Sequence, residues 1–245
     1  MTPTSLAFAL VPGDLVTDVQ LKACASLFSS NYGIWSPLAS APLKPGGRVK
    51  MGAARLRDQC LSDPAHSMLA LCTVGEVIVG HAFGTIWEYN GSNVCWITQL
   101  VVRHDHRERG IATTLLRLLP GPDLKCAAFG LASSHPAACL ALFKRTRMFH
   151  ANVRKLNLNF IKTHARKILD TTNISYLKDV HLRGSLFQDV DEAGVISCAF
   201  TAFYVDHEEL LEALKSWEDK HDMSWPLGVL PEGHEFLCIV ANKEV

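Results

Sequence analysis

The residues best suited to chemistry in this chain lie in one short stretch, Arg107-Glu108-Arg109-Gly110-Ile111-Ala112. It sits between an apolar run, Val94–Val102, and a pattern in which Ile111, Ala112, Leu115, Leu116 and Leu119 follow helical spacing. The first turn of a helix has unpaired N–H groups and a partial positive charge, and a glycine there lets a phosphate approach the backbone. The chemistry implied is the binding of a pyrophosphate-like anion. The turn has neither GxGxxG nor GxxxxGK[ST], so neither a Rossmann dinucleotide site nor a P-loop is supported.

That stretch has to be positioned by the elements around it. Leu6–Val11 reads as a strand turned by Pro12-Gly13-Asp14, Thr17–Ser29 as a helix, Ser36–Gly47 as a proline- and glycine-rich loop, and Ala53–Leu61 as a second helix. Ser67–Thr73 and Glu76–Trp87, separated by Val74-Gly75, form a hairpin. The turn Asn90-Gly91 leads to a third meander strand, Val94–Val102, apolar on both faces and therefore central. After the Gly110 helix, stopped by Pro120-Gly121-Pro122, come a strand (Cys126–Ala132) and a helix opened by Pro136 and running to about Arg147. Phe149–Gly194 carries no readable motif beyond a helix near Phe160–Leu169. A strand over Val195–Val205, a helix over Glu208–Lys220 and a last strand over His234–Asn242 follow.

Composition narrows the function classes. The 245 residues carry 24 Lys+Arg against 24 Asp+Glu, with 48% hydrophobic and 20% charged residues, so the chain is globular and has no basic field for nucleic acid or anionic lipid. Its longest apolar run, Ala137 to Phe143, falls well short of the ~18 residues needed to span a bilayer. Leu6–Val11 lacks a preceding basic region, so it reads as a strand rather than a signal peptide, and a cytoplasmic location is expected. The eight cysteines are scattered singly, without CxxC or metal-ligand spacing, and read as reduced core thiols.

The hexapeptide Arg107–Ala112 fits R/Q-x-x-G-x-G/A and resembles the signature of the GNAT superfamily of acyl-CoA-dependent N-acyltransferases. The order of elements resembles that family over roughly Leu6–Phe149 and again over Val195–Asn242. The resemblance implies an α+β (mixed α/β) single domain over residues 1–245 with an insertion at about 150–194. Its sheet is mixed, mostly antiparallel, of six to seven strands with helices on both faces and a splayed fourth and fifth strand. It further implies acetyl-CoA as donor, a small-molecule amine as acceptor, direct attack in a ternary complex, and no metal, membrane or nucleic-acid partner. A CoA-binding module without turnover, or a transferase with a hydroxyl acceptor, are the rival readings.

On that resemblance, backbone groups of Leu100, Val101 and Val102 hold the pantetheine arm. The amides of Arg107, Glu108, Arg109, Gly110, Ile111 and Ala112 hold the pyrophosphate, with Arg103 or Arg109 pairing to phosphate oxygens. The family's tyrosine acid is missing from His135–Phe143, where Phe143 stands and no tyrosine, so the thiolate leaves unaided or with help from Ser134 or His135. The histone-type glutamate is missing too, its place taken by Trp96. Glu88 or His135 are substitute bases, the alternatives being a surface carboxylate beside Asn90-Gly91 and a helix-capping imidazole. Gln99 either touches substrate or satisfies the strand splay, and Tyr32 and Trp35 wall an acceptor pocket for an apolar or aromatic amine or pack as core. Asp206-His207-Glu208-Glu209 looks like a triad or metal cluster but reads as a helix N-cap with acidic residues in the first turn.

Overall fold

A computed structural model describes residues 5–145, 156–188 and 193–242. Strands β1 (Leu6–Pro12), β2 (Ser67–Val74), β3 (Val77–Tyr89), β4 (Ser92–Val102), β5 (Cys126–Ser133), β6 (His181–Arg183), β7 (Cys198–Phe200) and β8 (His234–Ala241) form one eight-stranded sheet in the order β1-β2-β3-β4-β5-β8-β7-β6. β4 and β5 pair in parallel and every other neighbouring pair is antiparallel. The mixed, mostly antiparallel sheet agrees with the expected class, with eight strands in place of six to seven. The extra one, β6, comes from the segment without a readable motif, because three residues are too few to show a period.

Helices α1 (Asp18–Asn31), α2 (Ala53–Cys60), α3 (Ile111–Leu118), α4 (Pro136–Arg145), α5 (Leu158–Asp170) and α6 (Glu208–His221) cover both faces. The alternation in β2 shows the division: Leu69 and Leu71 pack with Leu21 and Cys24 of α1 and Leu56 of α2, whereas Ala70 and Cys72 join the main core with α3, α4, α5 and α6. β4 is buried from Val94 through Gln99, as a strand covered on both sides must be. All eight cysteines are buried free thiols.

Local chemistry sets the ends of these elements. Thr17 caps α1 in a capping box: its hydroxyl accepts from the Gln20 N–H at 3.2 Å, and its own N–H donates to Gln20 Oε1 at 2.9 Å. α3 lies close on β3 because β3 offers glycines there. A Cβ on Gly80 would sit 3.0 Å from Ile111 Cγ2, and one on Gly84 3.1 Å from Leu119 Cδ1. Truncating the wholly buried Leu115 to alanine would cost about 2–5 kcal/mol.

The structure moves two expected boundaries. The hairpin turns at Gly75-Glu76 rather than Val74-Gly75, since Gly75 takes the positive φ of 59°. The strand expected over Val195–Val205 shrinks to Cys198–Phe200; Ala202 has a φ of +56° and the chain leaves the sheet there. The last residues expected in α4, to Arg147, lie outside the described residues, as does part of Phe149–Gly194.

Candidate active site

The parallel pair β4–β5 runs from Asn93↔Cys126, through an irregularity before Val94↔Ala128, to Ile97↔Leu131 and stops, although β4 continues to Val102 and β5 to Ser133. On its other edge β4 pairs Ile97 with Gly84 and Gln99 with Phe83, so Thr98 is an extra residue that bulges and bends the strand. The diverging strands open a cleft of about 360 Å³, lined by Thr98, Gln99 and Leu100 of β4 and by Leu131, Ala132 and Ser133 of β5.

Beyond the end of β4, outside the residues that line the cleft, the turn before α3 leaves backbone donors exposed. Gly110 is the N-cap, in the left-handed region at φ +77°, and nothing lies within 4 Å of where its Cβ would be. Glu108 also has a positive φ, +63°. The first helical bond is Thr114 N to Gly110 O at 3.0 Å, and the amides of Glu108 through Thr113 donate to no acceptor among the described residues. Six consecutive free N–H groups at a helix N-terminus fit an anion.

The arginines divide. Arg103 is held by Asp105, at 2.7 and 3.2 Å, and reaches His106. Arg107 donates to the Asn31 carbonyl at 2.8 Å, approaches the Val102 carbonyl at 3.5 Å and pairs with Glu209, so it braces α1, β4 and α6. Arg109 is exposed and has no ion-pair partner among the described residues.

The cleft itself is built by side chains from distant segments. Glu235 of β8 lines it, 8% exposed, and burial pushes its carboxyl up to about 7, opposed by the neighbouring Thr201 hydroxyl. Thr201 Oγ1 is itself buried and makes no well-formed hydrogen bond. Tyr32, which Ser134 reaches as a hydrogen-bonding neighbour, and Tyr176, beyond α5, flank the carboxyl. Burial, reinforced by Glu235, raises both phenols far above their usual range. Phe203 packs on Tyr32 and Trp35 with centroids 5.8 and 5.3 Å away, and Phe28 stacks on Tyr32 at 4.3 Å. This wall is pinned from behind: Ser36 N donates to Tyr204 O, and Asp206 N to Ile34 O.

The structure brings Tyr32, Trp35, Gln99 and Leu100 to the cleft and leaves other candidates away from it. Glu88 is exposed near the far end of β3, paired in register with Asn93 beside the Asn90-Gly91 turn. His135 caps α4, its Nδ1 accepting from Ala137 N at 3.1 Å, and its Nε2 lies 3.7 Å from Glu209. Its pKa is lowered, by burial first, with Glu209 opposing and Arg107 adding. Phe143, standing where the family's tyrosine is missing, is buried in the main core and does not line the cleft. Asp206 Oδ1 accepts from Glu208 N at 2.9 Å at the start of α6, and no metal-ligating group of three His, Cys, Asp or Glu occurs among the described residues.

Gln99 does two things at once. Its Oε1 lies 2.7 Å from Nε2 of wholly buried His81, whose pKa burial pushes down to about 4. The unpartnered His81 Nδ1 favours the tautomer with its proton on Nε2, because a buried lone pair costs less than a buried unsatisfied N–H. Gln99 therefore turns its NH2 toward Met51 Sδ, 3.4 Å away, and the cleft.

Sequence reasoning missed Glu235, Tyr176, Thr201 and Phe203. Glu235 carried little signal, since it stands second in β8 between His234 and the apolar run Phe236–Ala241. Tyr176, Thr201 and Phe203 carried none, for they lie outside any regular element.

Residues 34–119 match the model of the acetyltransferase (GNAT) family, from the cleft wall at Trp35 to the end of the α3 segment. This match agrees with the resemblance carried by Arg107–Ala112. No curated protein sequence matches the chain. Among solved structures, it is similar to an acetyltransferase from Thermus thermophilus (20% identity, 54% of this chain and 80% of that one, TM-score 0.38). It is likewise similar to Arabidopsis thaliana NAA60 in complex with a bisubstrate analogue (14% identity, 57% and 82%, TM-score 0.38). An aminoglycoside acetyltransferase from an uncultured soil metagenomic sample is 12% identical, over 45% of this chain and 64% of that one, with a TM-score of 0.32. The chain thus spans less than two thirds of the length of that last protein. No helix among the described residues is long and apolar enough to cross a membrane.

Proposed function

We propose that the protein is an acyl-CoA-dependent N-acetyltransferase that moves an acetyl group to an amine by direct attack in a ternary complex. The observation that carries this reading is the end of β4–β5 pairing at Ile97↔Leu131, in the segment that runs on to six free amides over Glu108–Thr113. An unpaired β4 edge can bond an extended amide-bearing arm as a further strand would, and the free amides can hold its pyrophosphate. When bound, acetyl-CoA supplies the activated acetyl group. Unpaired β4 backbone around Thr98–Leu100 and the Gln99 NH2 are donors for the carbonyl oxygen as it gains charge. Of the three arginines, Arg109 is the one placed to meet phosphate, because Arg103 and Arg107 already have partners.

Calorimetry with CoA, followed by thiol release from acetyl-CoA with and without amines, tests the reading. Binding with amine-dependent release is expected; absence of CoA binding overturns it. Phe143 in the core, with no phenol from α4, favours one rival, a CoA-binding module. Binding without release under every amine would establish that rival instead.

A further inference from the structure

We propose that the Glu235 end of the cleft is an acceptor site for a primary monoamine with an apolar or aromatic body, and that Glu235 takes the proton from its nitrogen. The proposal rests on the acetyl-transfer reading of the same cleft and adds what that reading leaves open: which amine, and which base.

The class of amine follows from the wall. Tyr32, Trp35 and Phe203 are already packed on one another, and Tyr176 lines the same space, so a flat or apolar body finds preassembled rings. The charged groups lining the cleft are Lys50, Arg55, Asp58 and Glu235, cations and carboxylates in equal number, so a polycation or a lysine-rich peptide finds no acidic field. The space is about 360 Å³ and has to take the acyl end of the donor too, which leaves room for a small molecule.

The base follows from geometry. Of the two lining carboxylates Glu235 is the buried one, with the buried Thr201 hydroxyl as its neighbour. Asp58 is exposed on α2, while Glu88 and His135 do not line the cleft. In the reaction the nitrogen lone pair forms the new C–N bond at the thioester carbon. The C–S bond breaks with its electron pair on sulfur, the N–H proton passes to the Glu235 carboxylate, and a proton returns to the thiolate to give free CoA. A carboxyl held near neutrality by burial is matched to this exchange, with Tyr32, Tyr176, Lys50, Arg55 and Asp58 as the other titratable or charged groups of the cleft.

The test uses the full chain with acetyl-CoA, and with phenethylamine, spermidine and a lysine-containing peptide as probes, reading thiol release above the amine-free background. Phenethylamine is expected to show the highest kcat/KM. Glu235→Gln, nearly isosteric, is expected to lower its turnover by roughly 10²–10⁴-fold, the range for a lost general base, and to leave acetyl-CoA binding by calorimetry intact. Raising pH should partly rescue that variant by deprotonating the amine in solution, which a purely structural role would not produce. Phe203→Leu should raise KM for phenethylamine more than it lowers kcat. A preference for spermidine or the peptide overturns the assigned class, and full turnover in Glu235→Gln overturns the base. If acetyl-CoA binds but none of the three amines is acetylated, the acceptor proposal fails while the donor reading stands. Loss of acetyl-CoA binding in the unmodified protein defeats the donor reading itself.

Discussion

The two parts of the proposed site, the turn before α3 and the cleft, are made of different material. The proposed donor end uses one contiguous stretch, β4 through the start of α3, and offers mainly backbone: an unpaired strand edge and the free amides of Glu108–Thr113. The proposed acceptor end uses side chains from α1, the loop after it, the residues past α5, the exit of β7, and β8. Backbone groups are the same whatever the residue, so the donor end needs only the right turn and one permissive glycine. Side-chain chemistry depends on which residues distant segments deliver, so the acceptor end is free to differ while the donor end stays the same.

Perturbations that strike one end and spare the other put this contrast to the test. The largest effect is expected from Gly110→Trp, which fills the open space at the turn and forces a bulky residue to φ +77°. It should abolish the stabilisation acetyl-CoA gives the unmodified protein, about 2.7 kcal/mol at a hundred times Kd, in thermal melts where Glu235→Gln keeps it. Retained stabilisation in Gly110→Trp would mean that the amides of this turn do not hold the donor.

Gly130→Val comes next. A Cβ there would lie 2.2 Å from the Trp96 ring, behind the paired part of β4 and β5, so overpacking should cost about 1–3 kcal/mol or more in urea unfolding. Because Trp96 neighbours Tyr176, turnover should suffer more than acetyl-CoA affinity. Equal losses in both would show that the two ends are not separable.

Titration gives a subtler contrast. Glu235 has its carboxyl raised from 4.5 to about 7 in the folded protein, so the folded state binds the extra proton in that window. The stability it contributes is full below pH 4.5 and is lost as pH rises through about 7. Urea unfolding at several pH values should show that fall in the unmodified protein and a flatter profile in Glu235→Gln. Identical slopes would remove the case for a buried, protonatable carboxyl. His81, lowered to about 4, acts in the opposite direction as pH falls, so the comparison must be made between variant and parent rather than on the parent alone.

The smallest effects are expected where the cleft is not. Glu88→Gln and His135→Ala should change turnover little, by no more than about twofold, because neither side chain lines the cleft. Phe143→Tyr should bring no rate gain, since it buries a hydroxyl in the core. A vanished acid limb in the pH–rate profile of His135→Ala would return the base to α4 and undo the division between the two ends.

The elements whose signal is periodic or local are legible in the chain alone: β1 to β5, α1 to α4, the helix near 160–169, and the glycine turn with its free amides. Alternation, helical spacing, caps and glycine conformations act within a few residues of each other, so the residues state them directly. Glu88 and His135 were reasonable candidates on residue type, and type does not say what a side chain faces. Long-range packing had to insert β8 beside β5 and so carry Glu235 to the cleft. The same packing binds the backbone at 204–206 to the loop at 34–36, which sets Phe203 against Tyr32 and Trp35, and lets the residues beyond α5 deliver Tyr176. These placements depend on pairings between residues as much as about 170 positions apart, a scale on which closure entropy and packing decide and local propensity is silent.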